Sequence, residues 1–243
     1  RRHTRFKCDW SSNVCSSDLD LAPTLIEIAG LKWSDTRMAP PAGRSLLPLL
    51  QSSRGGRVDP TRDHVLLGRE RNDIGRPNDE GYPIRGWIDD HHLYLRNFEP
   101  GRWPAGNPET GYLDCDAGET KSLILAAHRR NAADPYWSLC FGLRPGEELY
   151  DLRTDPDCVH NLAATEPATR IPLNEQLTRQ LEAQGDPRMQ GRGALFDRYV
   201  HAAPANVDFH ARFMRGEKVQ ANWVNTSDFE PVPADKSVPV SRS

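Results

Sequence analysis

Apolar residues come in short bursts along the chain, and the spacing within each burst predicts an element. Leu21, Leu25 and Ile28 recur at helical spacing, with Asp20 as N-cap, Pro23 in the first turn and Gly30 as the stop, so a short amphipathic helix is expected. Residues 32–62 are rich in Pro, Gly, Ser and Arg and read as a connector that packs at one point, Leu46-Leu47-Pro48-Leu49-Leu50. A boundary is expected near 51–62. The bursts His64–Gly68, Tyr82–Ile88, His91–Arg96 and Glu147–Leu152 have strand character, the middle two joined at Asp89-Asp90 as a hairpin. Helical spacing returns at 120–130 (Leu123, Ile124, Ala127), after an irregular stretch over 100–119, and at 170–184 (Leu173, Leu177, Leu181), where Gly185 and Pro187 end it. Four strands with helices predict an α+β unit around a small antiparallel sheet. Beyond 200 the periodicity fades, so 201–243 is expected as an extended or mobile tail, most of all from Pro231.

Composition narrows the function classes. Across 243 residues, 31 Lys+Arg against 34 Asp+Glu give a net charge of −3, too little field to draw the whole molecule to nucleic acid or an anionic membrane. Neither partner is expected. No run approaches the roughly 18 apolar residues of a membrane span, and a mean hydropathy of −0.69 with 20 Pro and 18 Gly describes a loop-rich chain. Five cysteines without C-x-x-C spacing indicate neither a zinc site nor a disulfide framework.

Arginine is the residue type that stands out as candidate chemistry. Arg69, Arg71, Arg76, Arg85, Arg96 and Arg102 lie in a stretch with no lysine between Lys32 and Lys121, and a guanidinium holds an oxyanion through several fixed donors. Arg69 and Arg71 are the candidates for gripping such an anion, with Glu70 orienting them; Arg85 reads as structural. Asp151, Asp155 and Asp157 lack the glycine and terminal glutamate of a calcium loop and read as turn builders. His91-His92 and Cys158 with His160 are too few ligands for a metal centre. Trp87, Tyr94, Phe98, Trp103, Tyr136 and Trp137 fit either a core or sugar stacking.

The first nineteen residues look foreign. Asp9–Asp18 back-translates to within one base, at Asn13, of GACTGGAGTTCAGACGTGTGCTCTTCCGAT, a string that resembles a common sequencing adapter, whose next bases account for Leu19. Residues 1–19 are therefore expected to be an artefact.

From Asp20 onward a family resemblance emerges. Asp20-Leu-Ala-Pro-Thr-Leu25 through Ala29-Gly30-Leu31, then Gly43-Arg-Ser-Leu-Leu-Pro-Leu-Leu50, resembles the last helix and exit loop of a sulfatase catalytic domain. Glu148-Leu-Tyr-Asp-Leu152, Asp155-Pro156 and Asn161-Leu-Ala163 resemble the carboxy-terminal strand and turn of that family. Between them, Gly68-Arg-Glu-Arg71, Gly81-Tyr-Pro-Ile-Arg85, Arg96-Asn-Phe-Glu-Pro100 and Arg102-Trp-Pro-Ala-Gly-Asn-Pro108 are similar to the heparan N-sulfatase-like branch. Asn72 stands where that branch has His, a neutral side chain at a position that would otherwise offer an imidazolium.

The resemblance implies the carboxy-terminal subdomain of an alkaline-phosphatase-like α/β sulfatase, with 20–50 as the end of the catalytic domain and 51–200 as the small-sheet subdomain. It implies calcium and formylglycine in the parent enzyme, a sulfated carbohydrate substrate, a missing amino-terminal catalytic domain as partner, and a periplasmic or secreted location. Substrate-binding positions would be Arg69, Arg71 and Asn72. The formylglycine signature, Cys or Ser followed by x-Pro-x-Arg, does not occur in the chain, so neither nucleophile nor metal ligand is expected in it. Two other readings stay open: a self-sufficient carbohydrate-binding or interaction module, and a phosphate or phosphonate ester hydrolase of the same superfamily. Against the module, Leu21, Leu25, Ile28 and Leu46–Leu50 look like half of an interface.

Overall fold

The computed structural model describes residues 18–71 and 73–231. Most of the adapter-like stretch, Asn72 and residues 232–243 lie outside the described residues. The main elements are α1 (Leu21–Ile28), α2 (Leu47–Leu50), β1 (His64–Arg69), β2 (Ile84–Asp89), β3 (His92–Asn97), α3 (Glu119–Arg130), α4 (Pro135–Cys140), β4 (Glu147–Asp151), α5 (Pro167–Ala183), α6 (Ala194–Asp197) and α7 (Phe209–Met214). The strands form one antiparallel sheet in the order β1-β2-β3-β4. Its register is constant across the last pair: Asn97 N–H donates to Gly146 O and Leu152 N–H to His91 O, six residues apart on each strand in opposite directions.

By compactness the chain divides into two units. The first takes the described residues up to Leu67, Gly86–Tyr94 and Leu149–Glu166; the second takes Gly68–Arg85, Leu95–Glu148 and the described residues from Pro167. The expected boundary at 51–62 therefore lies inside the first unit.

In the first unit a polar pin holds α1. Asp20 has helical backbone angles and makes no side-chain cap. Its buried carboxylate instead accepts from Arg44 N–H (2.6 Å) and Arg62 Nη1 (2.7 Å), because a guanidinium offers a charge-assisted bond that a neutral N–H cannot match. Arg62 in turn donates to the carbonyls of Arg44 and Ser45, and Thr24 Oγ1 accepts from Leu46 N–H, so helix, exit loop and connector close on one another. The apolar face of α1 stays outside: Leu21, Leu25, Ile28 and, at the end of α2, Leu50 are each more than half exposed. At the hairpin, Asp89 Oδ1 accepts from both His91 N–H and His92 N–H, and Trp87 stacks on His64 with ring centroids 3.7 Å apart. Asp155 accepts from the N–H groups of Val159 and His160, and Asn161 Oδ1 from those of Leu149 and Ala163, which makes this carboxylate cluster a turn scaffold.

In the second unit Leu173, Leu177 and Leu181 form the buried stripe of α5, each worth about 1.5–3 kcal/mol of transfer free energy. Tyr112, Leu125 and Phe141 make one core cluster, and Ile74, Leu113 and Phe209 another. The second cluster corrects the expected tail. Phe209 opens α7 and is buried, Asp228 is fully buried 3.3 Å from Lys121, and Glu230 pairs with Arg129. Lys121 also donates to the carbonyls of Gly111 and Cys115, at 2.8 and 2.7 Å. Lone aromatics and buried ions fasten 209–230, and neither leaves a periodic trace in sequence. No helix among the described residues is long and apolar enough to cross a membrane.

A candidate anion-binding cavity

Within the second unit a cavity of about 230 Å³ lies over the sheet. Ile84 of β2 and Leu95 of β3 supply its apolar part, and the β3–β4 register sets Leu95 opposite Glu148. Pro104, with Leu139 and Cys140 of α4, supplies the cover. Two neighbours of these cover residues, Trp103 and Trp137, meet edge to face at 6.1 Å, and Trp137 Nε1 donates to Tyr112 Oη. Gly106, at φ +90°, lets the chain pass against Leu113, where a Cβ would come within 2.8 Å of the Leu113 nitrogen.

Arg69, Tyr82, Asn97 and Arg144 bring the polar groups, together with Glu148. Arg69 and Arg76 both pair with Asp114, whose side chain is 1% exposed. Arg76 also donates to the carbonyls of Trp103 and Pro104, bracing the covering segment. Both guanidinium groups also lie against the Tyr82 ring, each 5.7 Å from its centroid. Arg144 Nη2 pairs with Glu148 at 2.6 Å. Three guanidinium groups (Arg69, Arg76, Arg144) thus face two carboxylates (Asp114, Glu148), with the Asp73 carboxyl near enough to Asp114 for its pKa to be raised by that charge after burial.

The hydrogen-bond directions are determined. Asn97 Oδ1 accepts from Glu99 N–H, so its Nδ2 faces Tyr82 and donates to Oη at 3.0 Å. Tyr82 must accept there, which leaves the phenolic hydrogen for another acceptor. Burial, then the charge of Glu148, pushes the Tyr82 pKa up to about 12, so that hydrogen stays in place at neutral pH. Arg69 Nε, Arg76 Nη1 and Asp114 Oδ1 are buried without a hydrogen-bond partner.

Of the residues singled out in sequence, Arg69 reaches this cavity and Arg71 goes elsewhere. Arg71 donates to the carbonyls of Tyr199 (2.6 Å) and Phe196 (3.3 Å). Asn72 lies outside the described residues. Glu70 does not orient its neighbours, as expected, but binds Arg85 and Arg188; two guanidinium groups out of local sequence hold it more strongly than adjacent side chains can. Arg85, structural as expected, also meets Asp186 at 2.6 Å. Arg102 binds Asp197 and Gly81 O, and Arg96 lies over the Phe98 ring. Sequence reasoning missed Tyr82, Asn97, Arg144 and Glu148 as a set, although Arg144 and Glu148 stand four apart. A hollow of about 380 Å³ in the first unit is lined by Asp59 and Arg62, but its guanidinium is already committed to Asp20. No three His, Cys, Asp or Glu converge as a metal cluster among the described residues. Calcium finds no ligand set among them.

No family model matches the chain. An ulvan-active sulfatase of Formosa agariphila is 30% identical over 182 residues, covering 72% of this chain and 30% of the relative. The chain is sulfatase-like. It spans about a third of the length of this curated sulfatase. Among solved structures, a protein in complex with its substrate D-glucosamine-2-N,6-O-disulfate overlaps 69% of this sulfatase-like chain and 24% of its own length, at 16% identity and a TM-score of 0.40. A 2-O GAG sulfatase overlaps 76% and 30%, at 19% identity and a TM-score of 0.38. Overlaps this loose assign no role to any residue.

Proposed function

We propose that this chain is the carboxy-terminal part of a sulfatase of the heparan N-sulfatase-like branch, hydrolysing a sulfuric ester or sulfamate on a glycan outside the cytoplasm. Formylglycine and calcium, the groups that perform the chemistry when present, belong in this reading to a preceding α/β domain. The exposed leucines of α1 and Leu50 are the face that domain covers. The observation that carries the proposal is the 30% identity to a sulfatase over 182 residues. Arg69 is the residue of this chain that contacts the sulfated substrate.

Determining the genomic sequence upstream of Asp20 tests the reading. A Cys or Ser followed by x-Pro-x-Arg in frame is expected, together with sulfate release from a sulfated glycan by the extended protein and none by the 243-residue chain. Release of phosphate and no sulfate by the extended protein would move the chain to the phosphate-ester branch of the superfamily. The stand-alone module is favoured by one observation, that every lining residue of the cavity belongs to one compact unit. A sharp cooperative melt of the monomeric chain would support the module over the fragment.

A further inference from the structure

We propose that the open edge of β1 pairs, antiparallel, with β1 of a second copy of this chain, joining two sheets into one across a two-fold axis at Leu66. The sheet ends in two unlike edges. β4 is sealed: Leu149 N–H donates to Asn161 Oδ1, Leu149 O accepts from Leu162 N–H, and Asp151 O accepts from Asp155 N–H. β1 is not. Phe98 N–H donates to Pro83 O, so the odd-numbered residues of β2 bond to β3 and its even-numbered ones turn to β1. His64 stacks on Trp87, and a Cβ on Gly68 would come 3.7 Å from Arg85 Cδ, which sets His64 opposite Asp89 and Gly68 opposite Arg85. Val65 and Leu67 therefore bond to β2, while Leu66 and Gly68 aim their N–H and C=O groups away from the sheet. No other strand lies on that side among the described residues.

An open edge is a template for another strand, and proteins that stay single blunt it with lysine, proline, a bulge or a cover. Residues 63–69 read Asp-His-Val-Leu-Leu-Gly-Arg, with neither lysine nor proline. The segment is complementary to itself. Turned about Leu66 and laid antiparallel, it sets Leu66 against its counterpart, the two exchanging both N–H···O bonds, with Gly68 against His64 and Val65 against Leu67. Asp63 of each copy then lies opposite Arg69 of the other, so opposite charges meet at both ends of the ladder. Both are within reach of a partner: the Asp63 side chain is 59% exposed, and that of Arg69, although it meets Asp114, is 33% exposed. Leu67, itself exposed, gains an apolar neighbour in the Val65 opposite it. A strand of another protein would have to match this order of acid, apolar centre and base, whereas a second copy matches it by symmetry.

The test is sedimentation equilibrium of the 243-residue chain over a concentration series, with amide hydrogen exchange followed at the lowest and highest concentrations. A monomer–dimer equilibrium is expected, and the Leu66 and Gly68 amides should exchange about tenfold or more slowly in the dimer than in the monomer. Leu66→Pro removes an N–H that β2 does not use and should leave the chain monomeric. Asp63→Lys sets like charges opposite each other and should weaken the dimer roughly two- to thirty-fold, as the loss of two cross-strand charge pairs implies. Lying at the surface, it stands in for Leu66→Pro if that variant does not fold. Leu25→Glu, on the exposed face of α1, should leave the dimer as it is. A chain that stays monomeric at every concentration would overturn the proposal. So would a dimer of full affinity in Asp63→Lys with Leu66 and Gly68 exchanging freely, or a dimer lost in Leu25→Glu, which would place the contact on α1.

Discussion

Two buried arginine–aspartate centres, one in each unit, stand in different company. In the first, Arg62 divides its donors among Asp20 and two carbonyls, and Asp20 adds Arg44 N–H. In the second, Asp114 binds Arg69 and Arg76 but keeps a bare oxygen, and each arginine keeps an unpartnered nitrogen. Both are ion pairs at depth, where breaking one by removing a single partner costs far more than the pair gains over an apolar replacement. The difference is saturation. A saturated centre locks chain segments together with every polar atom engaged, whereas the unsaturated one carries unmet polar atoms at depth and is held by fewer bonds for the same charge.

Arg62→Leu attacks the saturated centre and should have the largest effect. It strands the Asp20 carboxylate, itself 6% exposed, and should cost about 3–5 kcal/mol. The Tm should fall steeply, and added sulfate should recover none of it. Asp114→Asn attacks the unsaturated centre, where the amide oxygen can keep both hydrogen bonds, since both reach one oxygen, but leaves two guanidinium groups without a counter-charge, so a loss of about 2–3 kcal/mol is expected. Here sulfate should raise the Tm of the variant more than that of the parent chain, because an anion that binds only the folded form stabilises it by mass action. Melting both variants across a sulfate series checks the contrast; equal responses would erase the distinction between the two centres.

A smaller effect comes from acid. Burial pushes the Asp186 and Asp197 carboxyls up, but the Arg85 side chain for one, and Gly81 N–H with Arg102 for the other, hold them below the ordinary carboxylate value. Glu109 is likewise lowered against its burial by His210 and Asn107. With the folded pKa values depressed, the unfolded chain takes up protons first, so the stability these groups give is whole above about pH 4 and is lost as the pH falls through their folded values. Asp73 works the other way: burial, then Asp114 and Asp116, raises its pKa, and protonation relieves it. Denaturant midpoints should therefore be flat from pH 8 to 5 and fall below 4. A chain that gained stability on acidification would show that Asp73 outweighs the other three.

The four strands and the helices α1, α3 and α5 were legible in sequence to within about three residues, because period and turn chemistry are local properties, whereas α2, α4, α6 and α7 were not. Leu173, Leu177 and Leu181 spell a helix face, and Asp89 builds its turn from adjacent N–H groups. The cavity was only partly legible. Arg69 could be singled out for its residue type, but its companions come from 13, 28 and 75 positions away as Tyr82, Asn97 and Arg144, and only the strand register brings them together. The packing of 209–230 was invisible for a related reason, since Asp228 finds Lys121 across a sequence gap that no spacing rule covers. Asp20 misled because a cap signal is local while the guanidinium that captured it lies 42 residues on.

Arg71 gives the mildest and most discriminating prediction. It is two residues from Arg69, shares its charge and would be grouped with it by any reading of sequence, yet its two Nη groups end on the carbonyls of Tyr199 and Phe196, while its Nε, like that of Arg69, is buried without a partner. Those are neutral acceptors at a partly exposed site, where water replaces a lost donor at modest cost. Arg71→Ala should lower stability by about 0.5–1.5 kcal/mol, seen as a small drop in Tm. Affinity of the extended protein for its sulfated substrate should be unchanged, and hydrogen exchange should quicken over 194–199 alone. Arg69→Gln should show the reverse weighting, with the larger change in affinity. If both substitutions weaken substrate binding alike while 194–199 stays protected, the two arginines act together on the substrate, and the division between a brace and a substrate contact does not hold.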